Sequence, residues 1–147
     1  MTTAGEALNP EVYRRFEEAT GLQILEGFGQ SESTMIIGNM IGSPHKLGSM
    51  GKPAPIYKVD LIDKEGNSVP DGETGEIVID ISNGTPCGLA VYYYNDEEST
   101  RNTWQGNYYH TGDLAWQDED GYIWYVGRVD DVIKSSGYRI GPFEIEN

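Results

Sequence analysis

The chain has 147 residues, of which 37% are hydrophobic, and its formal net charge at pH 7 is −14. A surface this acidic would be repelled by nucleic acid and by anionic membranes, so we exclude both as partners. Cys87 is the single cysteine, which excludes an intrachain disulfide. The sequence shows no export signal and no apolar run near 18 residues. We therefore predict a cytoplasmic protein without a membrane span.

The first predicted element is a helix over Pro10–Thr20. Asn9 is a good cap residue, Pro10 suits the first helical position, and Glu11 faces the positive end of the helix dipole. Apolar residues at positions i, i+4 and i+7 then form one face, and Gly21 supplies the stop. This helix is expected to cover a sheet.

A predicted strand at residues 22–25 leads into a loop at residues 26–32 with the sequence EGFGQSE. Gly27 and Gly29 would let the backbone approach a flat ligand closely, while Phe28 offers a ring face. A Gly-Phe-Gly sequence is more often a simple turn than a nucleotide site. The residues alone therefore leave both interpretations open.

The middle of the chain is predicted to be turn-rich β structure, because the sequence contains 19 glycines and 10 tyrosines. Apolar residues 35–40 are expected to be buried. Strands are predicted at residues 57–62, 76–81, 88–94, 122–126 and 132–133. A short helix or turn is predicted at 96–103, and tight turns at 63–67, 71–75 and 118–121. In residues 76–81, isoleucines alternate on one face and Val78 lies on the other.

Polar clusters separate the last predicted strands, beginning with Thr111, Gly112 and Asp113. The Asp113 carboxylate and the Arg128 and Arg139 guanidinium groups are suited to binding a ribose diol and phosphates. Arg128 follows Asp113 across a predicted hairpin. Two oppositely charged residues at this spacing can equally form a structural salt bridge, and the spacing alone does not decide between these roles.

Residues 109–147, taken with residues 26–32, resemble the adenylate-forming superfamily, and most closely its AMP-forming medium-chain acyl-CoA synthetases. The motifs EGFGQSE, TGD, GRVDD and KSSGYR stand in the order and at the spacing of that family. The similarity extends from Ala4 to Glu146. It implies a ligase that activates a small carboxylic acid with ATP and Mg²⁺ to acyl-AMP, and then transfers the acyl group to CoA.

The resemblance assigns a role to each matching residue. The residues implied to bind ATP or AMP are Gly5, Glu6, Ala7, Glu26, Gly27, Phe28, Gly29, Gln30, Ser31, Asp113 and Arg128. Glu32 is implied to bind Mg²⁺, and Lys134 is implied to act in the second step. The residues implied to contact CoA or phosphate are Ser136, Gly137, Tyr138 and Arg139, and Asp130 is implied to be the hinge between two closures of the enzyme.

The resemblance also implies the fold and the domain organisation. Residues 1–129 would be the C-terminal portion of a large AMP-binding domain, with a mainly β (α+β) fold, a few short helices and a distorted β-barrel-like subdomain. Residues 130–147 would be the hinge and the truncated start, with its first hairpin, of a small C-terminal domain. Since the family's phosphate loop and its C-terminal catalytic lysine are missing, we expect this chain alone to be inactive.

Two alternatives to a CoA ligase stay open at this point. A peptide-synthetase adenylation domain has the same fold but loads a carrier protein instead of CoA. A non-catalytic acidic β module would use the same motifs only for packing or for a protein partner, and would tolerate loss of Asp113 and Arg128.

Overall fold

The computed structural model describes residues 1–5, 8–44 and 46–130, and the backbone of residues 133–135 and 138–140. In these residues two helices lie among short strands, so the mainly β fold is confirmed. The first half contains β1 (Thr2–Thr3), α1 (Pro10–Thr20), β2 (Leu25–Gly29), β3 (Met35–Gly38), β4 (Lys52–Pro53), β5 (Val59–Ile62) and β6 (Thr74–Asp80). The second half contains α2 (Glu97–Thr103), β7 (Trp104–Gln105), β8 (Tyr108–Gln117), β9 (Ile123–Arg128), β10 (Ile133–Ser135) and β11 (Tyr138–Ile140).

Two sheets curl around one core to form a half-barrel. The first sheet has the strand order β1-β2-β3-β4, and the second has the order β5-β6-β8-β7 with β9 also paired to β8. An isolated antiparallel bridge between Gly51 and Ile123 joins the two sheets. The core contains Ile36 and Ile37 of β3, Ile77 and Ile79 of β6, and Ile123 of β9.

The helix predicted over Pro10–Thr20 is confirmed, and of the helix or turn predicted at residues 96–103 the structure shows the helix. The Asn9 Oδ1 atom accepts the Glu11 N–H at 2.8 Å, and α1 ends at Gly21, which has a φ of 70°. Helix α2 begins after Asp96, whose Oδ1 atom accepts the Ser99 N–H at 2.9 Å. Both N-termini are therefore capped by side chains, as their sequences predict.

The strand predictions are confirmed in part. In β6, Ile77 and Ile79 enter the main core while Val78 is buried on the other face, which confirms the predicted alternation. The strand predicted at residues 22–25 lies instead at Leu25–Gly29, where β1 and β3 supply partners on both sides. The expected burial of residues 35–40 fails at Met35, which is 42% exposed.

The strand predicted at residues 88–94 is wrong. Only Leu89 makes a bridge, to Ser33, and Tyr92 and Tyr94 are 61% and 84% exposed. The Tyr93 N–H bonds to the Thr100 hydroxyl of α2 instead of to a neighbouring strand. Aromatic residues favour a strand, but here the following helix takes the backbone donor.

A bulge of three residues in β8 shapes the surface next to β6. Val78 of β6 pairs with His110, and Glu76 pairs with Leu114, so Ile77 alone lies opposite the three residues Thr111–Asp113. Gly112 adopts a φ of 71°, which a residue without a side chain tolerates at little cost. The bulge interrupts the regular pairing and redirects the side chains on either side of Gly112.

None of the helices that the described residues form has the length and apolar character needed to cross a membrane.

Candidate functional site

A cavity of about 710 Å³ opens between the loop after β2, the segment before α2, the bulge of β8 and the end of β9. Polar and aromatic side chains line it. They include Gln30, Ser31, Glu32, Tyr93, Tyr109 and Arg128. The cavity therefore brings together residues that lie far apart in the chain.

Asp113 lies behind one wall of this cavity with its side chain only 6% exposed. Its Oδ2 atom accepts the Gln30 Nε2–H at 2.7 Å and faces the Arg128 Nη1 atom at 3.4 Å, and its Oδ1 atom accepts the Tyr125 hydroxyl at 3.1 Å. Burial raises the pKa of the carboxyl, while Arg128, Tyr125 and Gln30 act in the opposite direction. The β8–β9 register pairs Asp113 directly with Arg128, as the predicted hairpin requires.

Gln30 is held at both ends of its amide group. Its Nε2 atom donates to the Thr111 carbonyl at 2.8 Å as well as to Asp113, and its Oε1 atom accepts the Tyr109 hydroxyl at 2.6 Å. Burial raises the pKa of Tyr109 far above its ordinary value, so that hydroxyl remains a donor. The amide orientation is fixed by these three bonds.

Glu32 is half-buried at the cavity, and its Oε1 atom accepts the Tyr93 hydroxyl at 2.7 Å. Its donor chemistry suits magnesium, which takes one or two carboxylates together with substrate phosphate oxygens and water. The cavity lies beside this carboxylate and has room for those further ligands. The residues present therefore fit a magnesium ion that arrives with a phosphate-bearing ligand.

Glu76 of β6 braces the bulge of β8. Its Oε1 atom accepts the Gly112 N–H at 3.0 Å, and its Oε2 atom lies 3.1 Å from His110 Nδ1. The hydrogen bond from Glu76 raises the pKa of His110, and burial acts against this shift. Both side chains line the cavity, so protonation of His110 affects the same wall that carries Asp113.

We expect a pH-dependent contribution of His110 to the stability of the chain. Because the folded pKa lies above the ordinary value of 6.5, the protonated form is favoured by folding, and the stabilisation is complete below pH 6.5 and lost as the pH rises through the folded pKa. His110→Gln should therefore cost about 1 kcal/mol near pH 6 and much less near pH 9. Urea unfolding across this range measures the difference.

Glu76→Gln is the matched control for this prediction. It removes the charged partner of His110 and should flatten the pH dependence in the same way, although it retains an acceptor for Gly112. If the difference in unfolding free energy between wild type and His110→Gln stayed constant between pH 6 and pH 9, the proposed role of the His110–Glu76 pair would be contradicted.

The predicted nucleotide, magnesium and hinge residues that the structure describes divide into three groups. Gln30, Ser31, Glu32, Arg128 and Asp130 line the cavity. Asp113 lies directly behind Gln30 and Arg128. Gly5, Glu26, Gly27, Phe28 and Gly29 are not among its lining residues.

Packing accounts for the predicted residues in β2 that do not line the cavity. Glu26 is buried, its Oε1 atom accepts the Leu8 N–H at 3.0 Å, and burial raises its pKa. Phe28 packs against the main core. A Cβ atom on Gly29 would lie 2.8 Å from the Thr34 carbonyl oxygen, so glycine there permits close packing of β2 and β3.

Several predictions fall outside the described residues. These are Glu6, Ala7, Ser136 and Gly137, together with the side chains of Lys134, Tyr138 and Arg139. For the last three, the backbone alone is described, in an antiparallel pair of strands in which Lys134 lies opposite Arg139.

Three tyrosines at the site were missed by the sequence analysis. The hydroxyl groups of Tyr93, Tyr109 and Tyr125 donate to Glu32, Gln30 and Asp113 respectively. The composition indicates a use for tyrosine hydroxyl groups, since the chain has 10 tyrosines and only 3 phenylalanines. Tyrosine combines an apolar body with a polar tip, which suits the boundary between a core and a polar cavity.

Comparison with known proteins identifies a family model and curated relatives. Residues 1–87 match the model described as AMP-binding enzyme. The chain is 48% identical over 145 residues to acyl-coenzyme A synthetase ACSM3, mitochondrial, and 52% identical over 143 residues to acyl-coenzyme A synthetase ACSM5, mitochondrial, both from Rattus norvegicus. These alignments cover 99% and 97% of the chain, but the chain spans only about a quarter of the length of either relative.

A solved structure shows the same fold. The structure of the anthranilate CoA ligase AuaEII in complex with anthranoyl-AMP matches 99% of this chain and 27% of its own chain, with a TM-score of 0.89 and 37% sequence identity. The half-barrel described above is thus similar to one section of that larger protein.

Proposed function

Because the chain belongs to the AMP-binding enzyme family, we propose that it is a section of an AMP-forming acid–CoA ligase, called the parent enzyme below. The similarity to acyl-coenzyme A synthetases over nearly the whole chain supports this proposal. In the proposed first step, a carboxylate oxygen of the acid attacks the α-phosphate of ATP, which forms acyl-AMP and releases pyrophosphate. In the second step, the thiol of CoA attacks the acyl carbon and AMP leaves.

One observation carries the proposal: Glu32 and Arg128 line a single cavity, and Asp113 lies directly behind Arg128. A nucleoside triphosphate needs acceptors for its ribose hydroxyls, and cations or hydrogen-bond donors for its phosphates. The carboxylates of Glu32 and Asp113 and the guanidinium group of Arg128 supply these acceptors and this cation at one cavity.

Asp113 is proposed to accept hydrogen bonds from the ribose hydroxyls. A carboxylate has about four acceptor positions, and Gln30 and Tyr125 occupy two of them at short distance. Arg128 is held loosely, at 3.4 Å with its side chain 47% exposed. It can therefore turn to a phosphate and leave the remaining acceptor positions of Asp113 to the ribose.

Glu32 and Ser31 are proposed to face the phosphates. The Ser31 hydroxyl can donate to a phosphate oxygen, and Glu32 would hold magnesium through the carboxylate oxygen that does not accept the Tyr93 hydroxyl. When magnesium is bound there, it supplies positive charge to the phosphate oxygens. The protein's share of catalysis is then mainly positioning and charge stabilisation.

We keep Asp130 as the proposed hinge and as the boundary between residues 1–129 and 130–147. It is exposed, lies two residues after the end of β9, and lines the rim of the cavity. A hinge residue must change its backbone angles while the rest of the site stays intact, which an exposed position permits. Lys134 would act in the second step, and residues 136–139 would contact CoA.

The test is pyrophosphate release by the parent enzyme with ATP, magnesium, CoA and a panel of short, medium-chain and aromatic carboxylates. We expect release that depends on one class of acid and product formation that depends on free CoA. Release that proceeds without acyl-CoA formation would favour a carrier protein as the acceptor. No release with any acid would contradict the ligase.

The compartment of the parent enzyme is a separate question. The single cysteine fits a reducing compartment such as the cytoplasm, whereas the similar rat enzymes are named as mitochondrial. We propose the cytoplasm, and fractionation of cells that express the parent enzyme tests it.

A further inference from the structure

The structure joins Glu32 to an aromatic column that the proposed reaction does not itself require. The Tyr93 and Trp104 rings meet edge to face with centroids 5.2 Å apart, and Trp104 meets Tyr109 in the same way at 5.1 Å. We define these three residues as the aromatic column. Its two end members are tyrosines, and their hydroxyl groups both point to the loop after β2.

The column fixes that loop at two places. Tyr109 donates to the Gln30 amide at 2.6 Å, and Tyr93 donates to the Glu32 carboxylate at 2.7 Å. Gln30 and Glu32 are two residues apart, so both ends of the column grip one short segment. An edge-to-face stack between two such anchors resists movement of either hydroxyl.

Tyr93 is itself positioned by the start of α2. The Tyr93 N–H donates to the Thr100 hydroxyl at 2.9 Å, and that hydroxyl donates in turn to the Asp96 carbonyl at 2.7 Å. This explains why residues 88–94 form no strand: the backbone donor of Tyr93 is turned toward the helix. With its backbone held in this way, Tyr93 places its side chain in the cavity wall, where the hydroxyl contacts Glu32.

We propose that Tyr93 is a positioning residue for the magnesium carboxylate of the parent enzyme. This inference rests on the proposed function, in which Glu32 binds magnesium. The Tyr93 hydroxyl occupies Oε1 of Glu32 and restricts rotation of the carboxylate, so Oε2 is presented to the metal and its phosphate ligands. Partners of this kind commonly change metal affinity by about 10- to 100-fold when they are removed.

The test is Tyr93→Phe in the parent enzyme, because phenylalanine keeps the ring and its contact with Trp104 and removes only the hydroxyl. We expect the magnesium concentration for half-maximal pyrophosphate release to rise about tenfold, with the rate at saturating magnesium within about twofold of wild type. Tyr94→Phe is the matched control, since Tyr94 is 84% exposed and lies outside the cavity. It should leave the magnesium dependence unchanged.

A second readout does not depend on turnover. Binding of Mn²⁺ in the presence of a non-cleavable ATP analogue, followed by electron paramagnetic resonance, should weaken about tenfold in Tyr93→Phe and stay unchanged in Tyr94→Phe. If wild type released no pyrophosphate, the proposed reaction would fail, while the manganese titration would still decide the role of Tyr93.

A double-mutant cycle separates positioning from a general structural effect. If Tyr93 acts through Glu32, Tyr93→Phe should add nothing to the loss of manganese binding caused by Glu32→Gln. Equal magnesium dependence in Tyr93→Phe and wild type, or a full additional loss in the Glu32→Gln background, would overturn the inference.

Discussion

Asp113→Asn in the parent enzyme should lower kcat/KM for ATP by about a hundredfold, which corresponds to about 3 kcal/mol of lost binding in the transition state. The amide has the shape of the carboxylate but offers one acceptor and one donor group. Its NH₂ group would then face donors from Gln30, Tyr125 or Arg128, all of which need an acceptor at this place. Steady-state pyrophosphate release at varied ATP measures the change.

Asp80→Asn is the matched control. Asp80 lies in β6 of the same sheet, is 13% exposed and pairs with Lys58 at 2.5 Å, but it does not line the cavity. We expect kcat/KM for ATP to stay within about twofold of wild type, because an ion pair outside the site contributes little to catalysis. If Asp113→Asn also left kcat/KM unchanged, Asp113 and Arg128 would be only a structural salt bridge, which is the alternative that the sequence left open.

Gly51→Ala should destabilise the chain by at least about 3 kcal/mol, the largest effect on stability that we expect from a single added methyl group. Gly51 has a φ of 102°, and a Cβ atom there would lie 2.3 Å from the carbonyl carbon and oxygen of Gly38. These are backbone atoms of β3, so they cannot rotate away. The clash also falls beside Ile123, whose N–H donates to the Gly51 carbonyl at 2.9 Å where the two sheets meet.

Gly84→Ala isolates the steric part of this cost. Gly84 has nearly the same φ, 100°, but apart from its own atoms and its chain neighbours no atom of the described residues lies within 4 Å of the position of its Cβ atom. The backbone strain is therefore matched and should cost about 1 kcal/mol. Urea unfolding of the two variants gives the difference, and equal midpoints would show that β3 can move away from Gly51.

Local signals in the sequence predicted the helices and turns well, because their causes are local. Asn9 and Gly21 determine the ends of α1 through their own side-chain and backbone chemistry, and no distant residue is needed. The prediction of a strand at residues 88–94 was wrong for the opposite reason, because it depends on a residue outside that segment. Whether Tyr93 joins a strand depends on what its N–H meets, and the Thr100 hydroxyl of the next helix was not visible in the alternation pattern.

The candidate site was predictable only in part. Family motifs pointed to Gln30, Ser31, Glu32, Asp113 and Arg128, and the structure brings all of these to the cavity or to the wall directly behind it. Two of the tyrosine partners, Tyr109 and Tyr125, depend on the bulge in β8 and on the register between strands, and Tyr93 depends on its contact with α2. A periodic pattern assumes unbroken pairing, so it cannot show three residues of β8 opposite one residue of β6.

The junction of the two sheets bears on the order in which the chain folds. The Gly51–Ile123 bridge and the Lys46–Asp118 ion pair each join residues 72 positions apart in the sequence. Neighbouring pairs such as β5–β6 and β8–β9 close much shorter loops, and short loops lose less entropy on closure. We therefore expect the hairpins of the second sheet to form early, and the first sheet to dock onto them late in folding.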